Sequence, residues 1–215
     1  MTGHASWQRM WRGLGAPAGD ESLHLRLVEA WAEPHRHYHA PQHLRECLAS
    51  FDTVRHMAQR PAEVELALWF HDAYYDPRRH DNEARSAEWA REAVAASGGS
   101  AEVGQRVWDL VMLTCGHHPP RGIDAQLLVD VDLSILGAER GRFEESNEQI
   151  RREYAHVPRS DFVAGRTKIL QSFLARPRLY CTDHFHFLLE RRARDNLQHA
   201  LDTLALEDQV LSRGD

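Results

Sequence analysis

The stretch Ala67-Leu68-Trp69-Phe70-His71-Asp72-Ala73-Tyr74-Tyr75 closes an apolar run with an imidazole and a carboxylate side by side. A carboxylate buried without a partner costs several kcal/mol, so the chain has to supply something that offsets it. A metal ion is one such partner. Solvent at a helix end is another, so the pair becomes informative only if further ligands accompany it.

Working outward, nearly every segment carries helical rather than alternating periodicity. Leu23, Leu27, Val28 and Trp31 share one face of a helix over 21–33, with Asp20 as its N-cap and Pro34 as its stop. Pro41 suits the first turn of a helix running to about residue 60, and Pro61 opens the helix that ends near His71-Asp72. Asp81 is placed to cap a helix over 83–96, which Gly98-Gly99 closes. A further helix runs from Ser100 to Leu113 and stops at Cys115-Gly116-His117-His118-Pro119-Pro120. The segment 123–136 is apolar and buried, ending at Gly137, and 142–156 and 161–174 are amphipathic. A last long helix spans about 182–206, followed by a polar tail over 207–215 that frays. Trp7, Met10, Trp11 and Leu14 have the spacing of a short helix packed on this body. There is no hairpin signal and no internal repeat. The expectation is an all-α fold: one domain over 1–206, a helical bundle of about eight to ten helices.

Composition narrows the function classes. With 42% apolar residues the chain is globular. No run approaches the roughly 20 apolar residues a membrane span needs, and the N-terminus does not read as a signal peptide. Cys47, Cys115 and Cys181 lie far apart without C-x-x-C spacing, which suits reduced thiols in a cytoplasmic protein. A net charge of −6 without a basic block argues against duplex nucleic acid as a partner. Arginine supplies nearly all the positive charge, and Lys168 is the only lysine. Exposed apolar positions on the last helix suit the core or a homodimer equally.

Fifteen histidines are many for this length, and six of them (His35, His37, His39, His43, His117 and His118) fall in two clusters. Divalent cations need several N and O ligands converging from separate elements. His43 in the first turn after Pro41, the pair His71-Asp72, and Asp130 or Asp132 in Leu127-Leu128-Val129-Asp130-Val131-Asp132-Leu133 are the candidates. Two residues apart on a helix is roughly 200°, so only one of the two aspartates can face a given ion.

With these residues in place the chain resembles the HD superfamily of metal-dependent phosphohydrolases. Tyr38-His39-x-x-x-His43, His71-Asp72 and Asp132-Leu133-Ser134 match its H…HD…D pattern, and the first and last pieces are also similar to those of cyclic-nucleotide phosphodiesterases. Further stretches, Glu33-Pro34-His35-Arg36-His37-Tyr38-His39, Asp81-Asn82-Glu83, Ile150-Arg151-Arg152-Glu153-Tyr154, Gly165-Arg166 and Ala193-Arg194-Asp195-Asn196-Leu197, resemble a bacterial group known as predicted metal-dependent HD phosphohydrolases. The likeness covers about residues 7–204 and implies an HD-type helical bundle.

It also implies roles. His43, His71, Asp72 and Asp132 would be the metal ligands, with Asp132 chosen over Asp130. Asp72 would in addition orient the attacking water, and His39 would be the proton donor, a task for which histidine titrates in the right range. Arg36, His117, Arg166 and Lys168 are candidates for substrate contacts; His118, Glu83 and Arg151 are left without a fixed role. The cofactor implied is a divalent ion (Mn, Mg, Co, Ni, Zn or Fe), one bound tightly and a second left open. The expected activity is hydrolysis of a phosphoester, a nucleotide or related small phosphate ester, by a metal-activated water. The alternatives are an HD-fold di-iron oxygenase and a non-catalytic nucleotide- or metal-binding module.

Overall fold

The computed structural model describes residues 4–16, 20–116 and 120–211. Among them there are ten α-helices and no strand: α1 His4–Gly13, α2 Glu21–Trp31, α3 Pro41–Val54, α4 Pro61–Phe70, α5 Asn82–Ala96, α6 Ala101–Met112, α7 Ile123–Asp132, α8 Arg140–Glu153, α9 Arg159–Leu174 and α10 Asp183–Leu211. Short 3-10 turns follow α3 at Arg55–Met57 and α7 at Leu133–Gly137. The all-α expectation and the helix number hold. The chain divides into two compact units, 1–132 and 133–215.

In the first unit α4 is the central element, packed against α1, α3, α5, α6 and α7. Its residues Ala62 to Phe70 are all buried, so its sequence is apolar all round rather than on one stripe. Two glutamates on it need partners. Glu65 accepts from Ser6 Oγ and from Arg9 Nη2 at 2.7 Å, and pairs with Arg55; Glu63 accepts from Arg106 Nε at 2.8 Å and Nη2 at 2.6 Å. These contacts bind α1, the turn after α3, and α6 to the central helix. Trp7, Met10 and Trp11 of α1 are buried as their spacing predicts.

Helix ends follow local chemistry, with one departure. The Asp20 carboxylate caps α2 by accepting from Ser22 N at 2.9 Å, and Ser100 caps α6 through Val103 N at 3.3 Å. Asp81 stands at the N-cap position of α5 but does not cap it, because Arg79 takes both its carboxylate oxygens at 2.7 and 2.6 Å. Asn82 instead fixes the loop before α5, its side chain accepting from Asp76 N and donating to Asp76 O.

The second unit is built on α10, which packs against α8, α9 and the 3-10 turn after α7. Asn196, buried on α10, donates to Leu136 O and Ala138 O at 2.9 Å each, which closes the exposed carbonyls of that turn. Gly137 does more than end a helix. A Cβ there would lie 2.6 Å from Leu189 Cβ and 3.0 Å from Tyr180 Oη, so glycine permits the close approach of the turn to α10. α10 runs five residues beyond the expected end at 206, and Glu207 in this extension pairs with Arg159. No described helix is long and apolar enough to cross a membrane.

Candidate metal centre

Three segments of the first unit bring their side chains together. α3 presents His43 and, one turn later, Cys47 on the same face, since residues four apart are neighbours on a helix. The C-terminal end of α4 supplies His71 with Asp72 after it, and the last residue of α7 supplies Asp132. His43, Cys47, His71 and Asp132 are all buried, and each offers a donor atom within 4.8 Å of the others. This group could hold a metal ion.

The distances are short and specific. His43 Nε2 lies 3.1 Å from His71 Nε2 and 3.1 Å from Asp132 Oδ1. His71 Nε2 lies 3.1 Å from Asp72 Oδ2 and 3.5 Å from Asp132 Oδ1. Asp72 Oδ2 is 3.9 Å from His43 Nε2, and Cys47 Sγ is 3.7 Å from both ring nitrogens of His43. The Asp72 side chain is 16% exposed against 1% for His71, so Asp72 marks the open edge of the cluster.

The hydrogen bonding of His71 tests whether these residues suit a cation. Its Nδ1–H donates to Leu68 O at 2.8 Å, because a carbonyl can only accept. In the neutral ring Nε2 therefore carries a lone pair, and that lone pair faces two carboxylates and a second imidazole. Such an arrangement is repulsive until a positive charge sits among the four groups. A ring held through one nitrogen by a backbone carbonyl, with the other directed at an ion, is the usual support of a histidine ligand. The donor set fits a divalent cation.

The protonation equilibria point the same way. Burial opposes a charge on His71, but Asp72 and Asp132 outweigh it and raise its pKa well above the ordinary value. Burial likewise pushes the Asp72 carboxyl up, yet His71 and His39 overcome this and hold it below the usual carboxylate range. Burial, then the charges of Asp132, Asp72 and Glu46, raise the Cys47 thiol well above its ordinary value. The pocket favours a cation among its carboxylates and keeps an isolated thiol protonated.

The surroundings fix the ligands. Trp31 donates from Nε1 to Trp69 O at 3.0 Å and lies over His71, with ring centroids 5.4 Å apart. Tyr38 covers His43 at 4.8 Å. Arg36, whose side chain is fully buried, spans the segments that carry His39 and Asp72. Its Nη1 donates to His39 O at 3.3 Å and to Asp72 O at 2.5 Å, its Nη2 to Ala73 O at 2.9 Å, and its Nε to Glu33 at 3.0 Å. These bonds, with the Nη2 contact to Glu33 at 3.0 Å, engage the whole fork. The arginine expected to meet substrate has no N–H left for one, and positions the backbone of His39 and Asp72 instead.

His39 is half-buried and stacked on Tyr75, with centroids 4.1 Å apart, and the neighbouring His35 donates to Tyr75 O at 2.8 Å. Asp130 is fully buried but is not among the clustered donors, whereas Asp132 is. Glu83 is half-buried in the first turn of α5. Arg166 and Lys168 lie on α9 in the second unit; Arg166 Nη2 donates to Asn147 at 2.9 Å and Lys168 is exposed. His117 and His118 lie outside the described residues.

Sequence reasoning passed over Cys47. Its signal is the spacing His43-x-x-x-Cys47 on a helix already singled out for His43.

No protein-family model, curated protein or solved structure matches this chain. The chemistry of the centre is therefore read from its own residues.

Proposed function

We propose that this chain is a metal-dependent phosphohydrolase acting on a small phosphate ester of nucleotide type. The observation that carries the reading is His71 Nε2, set 3.1 Å from Asp72 Oδ2 and from His43 Nε2 and 3.5 Å from Asp132 Oδ1 while Leu68 O holds its Nδ1, beside a carboxylate at the open edge of the cluster. The resemblance of Tyr38-His39-x-x-x-His43, His71-Asp72 and Asp132-Leu133-Ser134 to HD phosphohydrolases supports phosphoester hydrolysis. His43, His71, Asp72 and Asp132 would hold the ion. A divalent cation there supplies charge that lowers the pKa of water and offsets negative charge growing at phosphorus.

The chain's own groups do the rest. Asp72, held ionised and partly open to solvent, accepts a hydrogen bond from the attacking water and orients it toward phosphorus, and the water's proton passes to solvent. The water oxygen bonds to phosphorus as the ester P–O bond breaks. His39, on the Tyr75 ring, gives a proton to the departing oxygen. Arg36 Nη1 bridges the carbonyls of residues 39 and 72, so the proton donor and the carboxylate that orients the water hang from one anchor. Such fixed placement matters because a displacement of about 1 Å costs rates on the order of 10²-fold.

The presence of Cys47 favours the softer of the candidate ions, Zn, Fe or Co, over Mg. It also supports a second reading. His43, Cys47, His71 and Asp132 would complete a closed four-donor sphere of the structural kind, without an open position.

Protein loaded separately with Mn, Mg, Co, Ni, Zn and Fe(II) is assayed against a panel of phosphomonoesters and diesters. The proposal expects turnover with at least one ion, lost in His71→Ala and reduced about 10²-fold or more in Asp72→Asn, on the scale of a misplaced reacting group. No turnover with any ion, or equal turnover in both variants, overturns it. A centre that holds its metal in Asp72→Asn but not in Cys47→Ser would favour the structural reading.

A further inference from the structure

The second unit carries a cavity that the metal centre does not use. It lies between α8, α9 and α10 and encloses about 550 Å³. That is within the roughly 300–1,000 Å³ of small-molecule sites. Phe143, Leu170 and Leu204, all buried core residues, form its apolar floor.

Its rim is charged, and the charges are unequally matched. Four arginines (151, 152, 159 and 166) line it with three glutamates (144, 148 and 207). Each glutamate already has a basic neighbour: Glu144 lies 3.4 Å from His199, Glu148 lies 4.0 Å from Arg152, and Glu207 pairs with Arg159. Among the described residues Arg151 has no carboxylate partner. Its guanidinium is nevertheless held in place. Nη1 donates to Tyr154 O at 2.6 Å and to Val157 O at 3.3 Å, and Nη2 donates to Val157 O at 3.3 Å. It also lies over the Phe162 ring at 4.7 Å. Nε–H and one N–H on Nη2 remain for a ligand.

We propose that this groove binds a small organic anion, its phosphate or carboxylate head on Arg151 and its apolar body against Phe143, Leu170 and Leu204. The fork of a fixed guanidinium matches either head group. The floor requires a body beyond the head, which sets the ligand apart from an inorganic ion. The site lies wholly within residues 133–215 and requires no metal.

Calorimetric titration of the full chain in EDTA, which removes the metal centre from the readout, tests it. The probes are phenyl phosphate, 3-phenylpropionate, inorganic phosphate and benzyltrimethylammonium. One or both aromatic anions should bind at least tenfold more tightly than inorganic phosphate, and the cation should not bind. The stronger of the two aromatic anions identifies the head group. Arg151→Gln should weaken the anion about tenfold or more, the scale of a lost charge-assisted hydrogen bond. Thr203→Trp, which fills the exposed wall of the groove and leaves the Arg151 side chain in the protein, should block binding while the melting curve stays that of wild type. Equal binding of the cation, no preference over inorganic phosphate, no binding of any probe, or affinity unchanged in both variants overturns the proposal. None of these results depends on turnover, so failure here is distinguishable from failure of the phosphohydrolase reading.

Discussion

Replacing Arg36 by methionine removes a side chain that joins the His39 segment to Asp72 and Ala73. The volume is nearly kept, so the effect reports on lost hydrogen bonds. Three carbonyls lose a donor: His39 O, Asp72 O and Ala73 O. Residues 39 and 72 are half-buried, and Ala73 is buried at 2% exposure. A buried carbonyl left unsatisfied costs about 1–3 kcal/mol, and a bond to a charged donor is worth about 1.5–3 kcal/mol. The guanidinium also lies 5.8 Å from the Trp31 ring and 5.5 Å from the Tyr75 ring, contacts worth about 0.5–1 kcal/mol each. Together these predict a loss of about 4–8 kcal/mol from a total that is typically about 5–15 kcal/mol. Urea unfolding of metal-free protein measures it, and a parallel metal titration should show weaker binding because Asp72 loses its anchor. Arg36→Lys should rescue little, since an ammonium cannot span three carbonyls. If Arg36→Met unfolds like wild type and binds metal normally but raises the KM for a phosphate ester, Arg36 is a substrate contact and the positioning role is wrong.

Other perturbations read separate parts of the structure. Cobalt-loaded wild type should show a sulfur-to-metal charge-transfer band that Cys47→Ser lacks; a wild-type spectrum without the band removes Cys47 from the coordination sphere. Gly137→Ala should cost about 1–3 kcal/mol in thermal unfolding, because its Cβ meets Leu189 at 2.6 Å and the turn cannot retreat from α10 without losing Asn196's two bonds. An unchanged melting temperature would refute that contact. Burial raises the Glu190 carboxyl, but Arg194 and the N–H groups of Leu179 and Tyr180 outweigh it and leave its pKa lowered. Its folded pKa therefore lies below the unfolded value, so its stabilisation is complete above the ordinary glutamate range near ~4.3 and fades as pH falls through that range toward the folded pKa. The stability gap between wild type and Glu190→Gln should follow that course, and a gap independent of pH would contradict it.

The fold was legible because its helices are punctuated locally. Pro41 and Pro61 each occupy the first turn of a helix, and Asp20 and Ser100 act as caps, all visible in the chain itself. Where an end depends on distant partners, the pattern misleads. Asp81 has the spacing of a cap, yet Arg79 competes for its carboxylate. The polar stretch after residue 206 looks like a tail, yet Glu207 reaches Arg159 and the helix continues to Leu211.

The candidate site divides in the same manner. The distinct residue types His43, His71-Asp72 and Asp132 stand out in apolar surroundings. Cys47 did not, because a thiol in an amphipathic helix reads as ordinary core packing; only the third dimension puts its sulfur beside His43. The resemblance marked Arg36 as a substrate contact, whereas its geometry, four acceptors on one fork, follows from how two loops meet. Spacing along the chain does not encode that meeting.

The most direct test of the account is the metal content of the purified chain, measured by plasma mass spectrometry beside phosphoester turnover on the same samples. The account predicts a divalent ion bound in wild type, as isolated or after loading, with activity that tracks it. It predicts both to be lost in His71→Ala and in Asp132→Asn while helicity is retained. Wild-type protein that takes up no divalent ion under any loading, or that hydrolyses phosphoesters equally well when the ion is stripped, would contradict it.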